Sequence, residues 1–169
     1  TIELADIKIK DETVNSNIYI IGLKADSYFK LDEYAETEKI YSALLKSSKL
    51  NYKQRKQYSD RLALAIYKLG EQSLQAKDTS AAIGHYSRIA DIAPASDIAA
   101  TGLYDAIALN MQHKQWLDAI SEIKKFQKLY PQHKLKADVS KKLSVAYLSS
   151  DQGIKAAQEF EKISGMGGS

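Results

Sequence analysis

The residues whose chemistry would be easiest to recognise are few. Histidines stand only at positions 85, 113 and 133 of the 169, and there is no cysteine. A protein metal site draws on His and Cys ligands that share one helix face or one loop, and no two of these histidines stand at i, i+4. The missing thiols exclude a disulfide framework, a thiol nucleophile and a cysteine-ligated zinc. Glu122, in Ser121-Glu122, is the carboxylate to weigh as a general acid for glycoside hydrolysis. That chemistry needs an acid of raised pKa in a cleft, usually facing a second carboxylate. Glu122 instead falls among lysines on an amphipathic segment, so a solvated place on the outer face of a helix is expected. No Gly-rich phosphate loop, nucleophile elbow or paired-carboxylate motif occurs. The sequence therefore assigns no catalytic, metal or cofactor-binding residue, and the chain is expected not to be an enzyme.

Charge offers one further chemistry. Lys46, Lys49, Lys53, Arg55, Lys56 and Arg61 form the densest basic run, with Tyr52 and Tyr58 between them. Cations interleaved with aromatics suit nucleic acid or anionic lipid; the alternative is a solvated elbow on an elongated helix. Over the whole chain 24 basic residues meet 21 acidic ones, a net charge of +3 that argues for neither partner by itself.

The elements that must carry these residues are helices. The chain is 44% apolar and 27% charged, enough to bury a core, while two prolines and eight glycines are too few for a sandwich or barrel. Three segments align without gaps on Ala82, Ala119 and Ala156, which stand 37 residues apart. An earlier copy carries Thr37 in the alanine's place, 45 residues before Ala82, so about eight residues are inserted around 51–61. Each copy holds two helical apolar series, as in Leu62, Ala65, Ile66, Leu69 and then Ala82, Ile83, Tyr86, Ile89. Pro94 and Pro131 stop second helices, and Ser96 and Asp97 are candidate N-caps. Helices are expected over 17–30, 33–48, 53–76, 79–92, 97–112, 115–130, 134–149 and 152–163, with the insertion lengthening the third by about two turns. Gly70, Ala25 and the anchoring alanines would admit close backbone approach. Tyr28, Tyr41, Tyr86, Trp116, Tyr147 and Phe160 would fill the gaps between hairpins.

This pattern resembles the tetratricopeptide repeat. Leu69-Gly70, Ala82, Tyr86 and Pro94 sit where the family has Leu-Gly, Ala, an aromatic and Pro. Ala25, Tyr28, Tyr34 and Tyr41 fit in the first copy, and Trp116, Ala119 and Pro131 in the third. Ile107 departs from the pattern, standing where Gly or Ala is expected, as a one-residue shift of that helix would explain. The resemblance spans about residues 17–163. The period and the Leu-Tyr-Pro ending are similar to bacterial envelope members, such as the Tol–Pal coordinator and the outer-membrane assembly lipoprotein. The resemblance implies an all-α, right-handed α-solenoid of about four hairpins.

It also implies a groove lined by the first helix of each hairpin. Carried onto this sequence, the lining is Tyr19, Asp26 and Phe29, then Leu64, Tyr67, Glu71 and Leu74, then Tyr104, Ala108 and Met111, then Asp138, Lys141, Val145 and Leu148. The expected protein-binding residues are Tyr67, Glu71, Leu74, Tyr104 and Met111. The lysines and asparagines with which some relatives clamp a terminal carboxylate are missing, so an apolar helix or extended peptide of another protein is the expected ligand. The function so implied is a non-catalytic scaffold, one module of a larger bacterial protein in the periplasm or envelope. No cofactor and no small-molecule substrate are expected, nucleic acid is disfavoured, and membrane contact would come only through a partner or the parent chain. The runner-up is nucleic-acid or membrane-surface binding through the elbow 46–61, or service as an accessory solenoid of an enzyme. Residues 1–15 are expected as a lead-in or the remnant of a preceding repeat, 16–164 as the repeat domain, and 165–169 as a flexible tail or expression scar.

Overall fold

The computed structural model describes the backbone of residues 2–166 and the side chains of residues 15–165. Among these residues the chain is all helical: α1 (Ile2–Lys30), α2 (Tyr34–Leu45), α3 (Tyr52–Gln75), α4 (Thr79–Ile92), α5 (Asp97–Gln112), α6 (Trp116–Leu129), α7 (Lys136–Ser149) and α8 (Gly153–Met166). The fold is of the tetratricopeptide type, and the eight expected helices are all present. The third has 24 residues against 16 for α5, so the insertion went into helix length. Helix α1 begins well before the expected residue 17 and includes the backbone of the expected lead-in. Of the expected tail, residues 167–169 lie outside the described residues.

The hairpin turns repeat as faithfully as the alanines do. Asp32, Lys77, Lys114 and Asp151 all have φ near +60°, the left-handed region. Each stands five residues before Thr37, Ala82, Ala119 or Ala156. After each, the next N–H reaches back five residues, Glu33 to Tyr28, Asp78 to Ser73, Gln115 to Asn110 and Gln152 to Tyr147, at 2.8–3.0 Å. This closes the first helix of the hairpin by the Schellman pattern. The anchor N–H then bonds the carbonyl four residues before it, which starts the second helix. None of the four left-handed residues is glycine, so glycine counting would miss them.

The chain divides into two compact units, Thr1–Leu69 and Gly70–Ser169. In the first, Ala25, Tyr41, Tyr58, Leu62 and Ile66 are buried. Thr37 is fully buried where the other copies have alanine, and its hydroxyl donates to the Glu33 carbonyl at 3.1 Å. Tyr58 of α3 lies against Gly22 of α1, leaving 3.0 Å between a would-be Cβ and its hydroxyl. In the second unit, Leu103, Ile107, Ile123, Phe126, Val139, Leu143 and Ala146 belong to one apolar core, with Tyr104, Met111 and Trp116 packed against it. Gly70 is flattened under Tyr86, whose ring a Cβ would meet at 2.4 Å.

The departure at Ile107 has a volume explanation. One period after Gly70 and Tyr86 stand Ile107 and Ile123, both fully buried. A large residue stands in glycine's place, and the ring opposite has given way to the smaller isoleucine, so the ring that a side chain at 70 would strike is absent here. No shift of α5 is needed, since Lys114 turns the chain 37 residues after Lys77. Other expectations need correction. Phe160 is about half exposed and fills no gap among the described residues. Glu122 is not a solvated outer residue: it is half-buried, one carboxylate oxygen accepts from the Ser87 hydroxyl at 2.7 Å, and the other is buried.

Candidate protein-binding groove

The first helices of the hairpins are α1, α3, α5 and α7, and the expected groove residues divide between the two units. In the first unit, Asp26 of α1 is spent inside the protein. It accepts a short hydrogen bond from the Tyr41 hydroxyl and an ion-paired one from Arg61 at 2.6 Å, and Arg61 also reaches the Tyr41 oxygen at 3.3 Å. Burial, with the bond to Asp26 behind it, pushes the Tyr41 hydroxyl well above the ordinary tyrosine range. Two cavities flank this triad. Each has a volume of about 160 Å³; one is lined by Tyr19, Leu23 and Gln57, and the other by Phe29, Tyr41 and Leu64. Tyr19 is exposed, and Tyr67 is half-buried on α3.

In the second unit the expected residues meet different fates. Leu74 is exposed, while Glu71 and Met111 are half-buried. Glu71 with Asp105 adds negative potential at Tyr86, whose hydroxyl is raised first by its own burial. Tyr104 is not the free anchor its type suggests. Its ring packs on the core, Lys142 sits 5.4 Å from the ring centroid, and its hydroxyl donates to Asp138 at 2.6 Å. That bond is the leading reason why the Tyr104 hydroxyl is pushed up to about 12 and the Asp138 carboxyl is lowered. Lys142, 3.6 Å from Asp138, completes the group. The bond joins α5 to α7, two first helices in succession. Val145 and Leu148 follow Asp138 by two and three turns of α7, on the same side, and are 45% and 52% exposed.

No cluster of three or more metal-ligating side chains occurs among the described residues, and none of their helices is long and apolar enough to cross a membrane. The histidines act locally. His113 caps α5, while His133 packs edge-on against Phe126 and accepts from the Leu135 N–H.

A family model described as outer membrane lipoprotein, YfiO, matches residues 59–164, well over half of the chain. The chain belongs to the YfiO family. It is thus a tetratricopeptide protein of the envelope type that its repeats resemble, and the YfiO type is a scaffold fold that works on other proteins. The crystal structure of MamA protein is similar at 15% identity with a TM-score of 0.49, over 88% of this chain and 91% of that one. No curated protein sequence matches the chain. The family match begins at Ser59, so α1 and α2 lie outside it.

Sequence reasoning missed the Tyr104–Asp138–Lys142 group because its partners stand about one repeat apart. The signal was available: Tyr104 and Asp138 occupy successive first helices, and a phenol beside a carboxylate is a natural hydrogen-bonded pair.

Proposed function

We propose that this YfiO-family chain is a non-catalytic scaffold that holds an apolar helix or extended segment of another envelope protein against its first helices. The supporting observation is the face of α7. Val145 and Leu148 lie exposed on α7, two and three turns on from the Tyr104–Asp138 bond that joins α7 to α5, so an apolar strip is held on a supported helix. Pre-ordered apolar side chains bind without the entropy cost of arranging them first. Leu74, Glu71 and Met111 extend the set within the second unit, and Tyr104 serves as its strut more than as its anchor. Truncating Tyr104 is therefore a poor probe, since it would disturb the core against which the ring packs.

A cleaner probe makes the strip polar. Val145→Asp and Leu148→Asp, each already in water, should leave the melting temperature near wild type. Each should weaken a captured protein partner at least about tenfold, as loss of an interface hot spot does. Leu117→Asp on α6, more exposed and on a second helix, is the control. Retention of the partner by the two α7 variants, or its loss with the α6 control alone, would reject the groove.

A further inference from the structure

Between Lys39 and Ser59 the chain carries six cations and no carboxylate. The structure sorts them. Lys39 pairs with Glu36 and Lys56 with Asp60. Arg55 donates to the carbonyls of Leu45 and Ser47, both at 2.8 Å, and so closes the end of α2. Arg61 and Tyr58, also part of the basic run, belong to the buried side of the first unit. Lys46, Lys49 and Lys53 remain, exposed and without an ion-pair partner among the described residues. Tyr52, between them, is 84% exposed.

These four residues stand on the α2–α3 loop and the first turn of α3, which are held in place. The Asn51 and Gln54 side chains cap each other's backbone N–H groups at 2.8 and 3.0 Å. The Lys49 N–H bonds the Ser47 hydroxyl, and Leu50 is buried beneath. The Arg55 clamp keeps the start of α3 beside the end of α2, which gathers the three lysines and the tyrosine at one tip of the first unit. A fixed tip of unpaired ammonium groups around an exposed phenol matches a sheet of anionic headgroups. The lysines meet the phosphates, and the tyrosine sits at headgroup depth with its ring toward the acyl region. Nucleic acid fits less well, because three contacts at a single tip release few counterions and track no backbone.

We propose that the α2–α3 loop docks on an anionic phospholipid bilayer through Lys46, Lys49, Lys53 and Tyr52. This surface is separate from the groove, and it gives the chain a membrane contact of its own, the runner-up reading of the sequence, beside any contact made through a partner or the parent chain. Each lysine near such a surface strengthens binding about fivefold, so three contribute about 100-fold.

The test is co-sedimentation of the full chain with vesicles of phosphatidylglycerol mixed into phosphatidylcholine, against phosphatidylcholine alone and against a DNA duplex. Binding to the mixed vesicles is expected, falling steeply with salt and about 100-fold in the Lys46→Gln, Lys49→Gln, Lys53→Gln triple variant. Tyr52→Ala should lose several-fold more of the binding that survives in salt. A Lys114→Gln, Lys128→Gln, Lys134→Gln variant removes the same charge elsewhere and should bind as wild type. Equal binding to neutral vesicles, equal loss in both triple variants, or binding to the duplex but not to vesicles would overturn the proposal. All the substituted side chains are exposed, and an unchanged helical circular dichroism spectrum checks that the variants fold.

Discussion

Thr37 in the first unit and Ala82, Ala119 and Ala156 in the second occupy the same place in their hairpins, and all four are fully buried. Around them the two units use different chemistry. The first surrounds its hairpin with polar groups: the Thr37 hydroxyl on a helix carbonyl, Asp26 bonded to Tyr41 and Arg61, and Tyr58 over Gly22. The second is built on apolar packing, with Leu103, Ile107, Ile123 and Phe126 wholly buried. An apolar core accepts paired changes of shape, as from Gly70 and Tyr86 to Ile107 and Ile123. A polar network accepts few, because each partner removed leaves another unsatisfied. The family match covers the second unit up to residue 164 and only the last residues of the first, from Ser59. The repeat pattern is thus clearest where packing alone sets the residues.

The sharpest way to break the comparison is to place one methyl group in each unit. Gly70→Ala would drive a Cβ to 2.4 Å from the buried Tyr86 ring, which is also held from the α5 side by Gly102 under its backbone. Overpacking of this kind costs about 1–3 kcal/mol, and the better helix propensity of alanine returns up to about 1. A net loss of about 2 kcal/mol is expected. Gly22→Ala meets only the hydroxyl end of Tyr58, at 3.0 Å, and there the propensity gain should cancel the contact. Urea denaturation of both variants checks this, and equal losses would mean that the units pack alike. Arg61→Met comes next in size. It strips Asp26 and Tyr41 of a shared donor at a pair still about one-third exposed, and should cost about 1 kcal/mol, less in high salt. A salt-independent loss would show that the packing of the arginine stem matters more than its charge.

Much of this arrangement was legible in the sequence, for physical reasons. The 37-residue period fixes hairpins because alanine at 82, 119 and 156 is the mark of two backbones in close approach, and that mark lies in the primary structure. Helix ends at Ser96, Pro94 and Pro131 were readable from capping chemistry; the Ser96 hydroxyl does cap α5. What escaped depends on partners distant in the chain. The basic run reads as one feature, yet Arg61 and Tyr58 face Asp26 and Gly22, some 35 residues earlier, Arg55 turns to the carbonyls that end α2, and Lys46, Lys49 and Lys53 have no ion-pair partner among the described residues. Glu122 looked solvated because its helix neighbours are lysines, but Ser87 on α4 lies against it. Tyr104 was chosen for its type, and its environment then assigned the hydroxyl to Asp138. The groove residues named from the sequence therefore stand as a proposal, shifted toward α7.

The turns offer a smaller effect that sharpens the contrast between period and composition. Lys114 holds φ at 59° with no glycine's freedom. Left-handed backbone costs an ordinary residue about 1–2 kcal/mol, and glycine's extra entropy in the unfolded chain takes back about 0.5–1. Lys114→Gly should therefore stabilise the protein by about 0.5–1 kcal/mol, and Asp32→Gly in the first unit by less, because aspartate tolerates this backbone better and its carboxylate accepts from the Tyr34 hydroxyl at 2.6 Å. Calorimetric melting of the two variants measures both. If only one unit gains, the four turns are alike in backbone geometry but not in strain.

The smallest expected change is at Tyr104→Phe, and its signature lies in pH. The hydroxyl is pushed up to about 12 by its bond to Asp138. A tyrosine in the unfolded chain ionises near 10. Below pH ~10 the folded and unfolded chains both keep this proton, and the bond contributes in full. As pH rises from ~10 through ~12 the unfolded chain gives up its proton first, so this contribution to stability is lost across that window. Asp138 works at the other end: the same bond lowers its carboxyl, so its contribution is present above the ordinary aspartate range and is lost as pH falls through the lowered value. Phenylalanine keeps the ring on the core and under Lys142 but cannot donate. The variant should melt close to wild type at neutral pH, lose the part of the alkaline slope that belongs to Tyr104, and let the Asp138 carboxyl titrate nearer its ordinary range. Carboxyl-detected NMR titration of Asp138 follows that last change directly. An unmoved Asp138 titration would mean that Lys142, 3.6 Å away, sets the carboxyl by itself, and that the strut between α5 and α7 is packing and not the hydrogen bond.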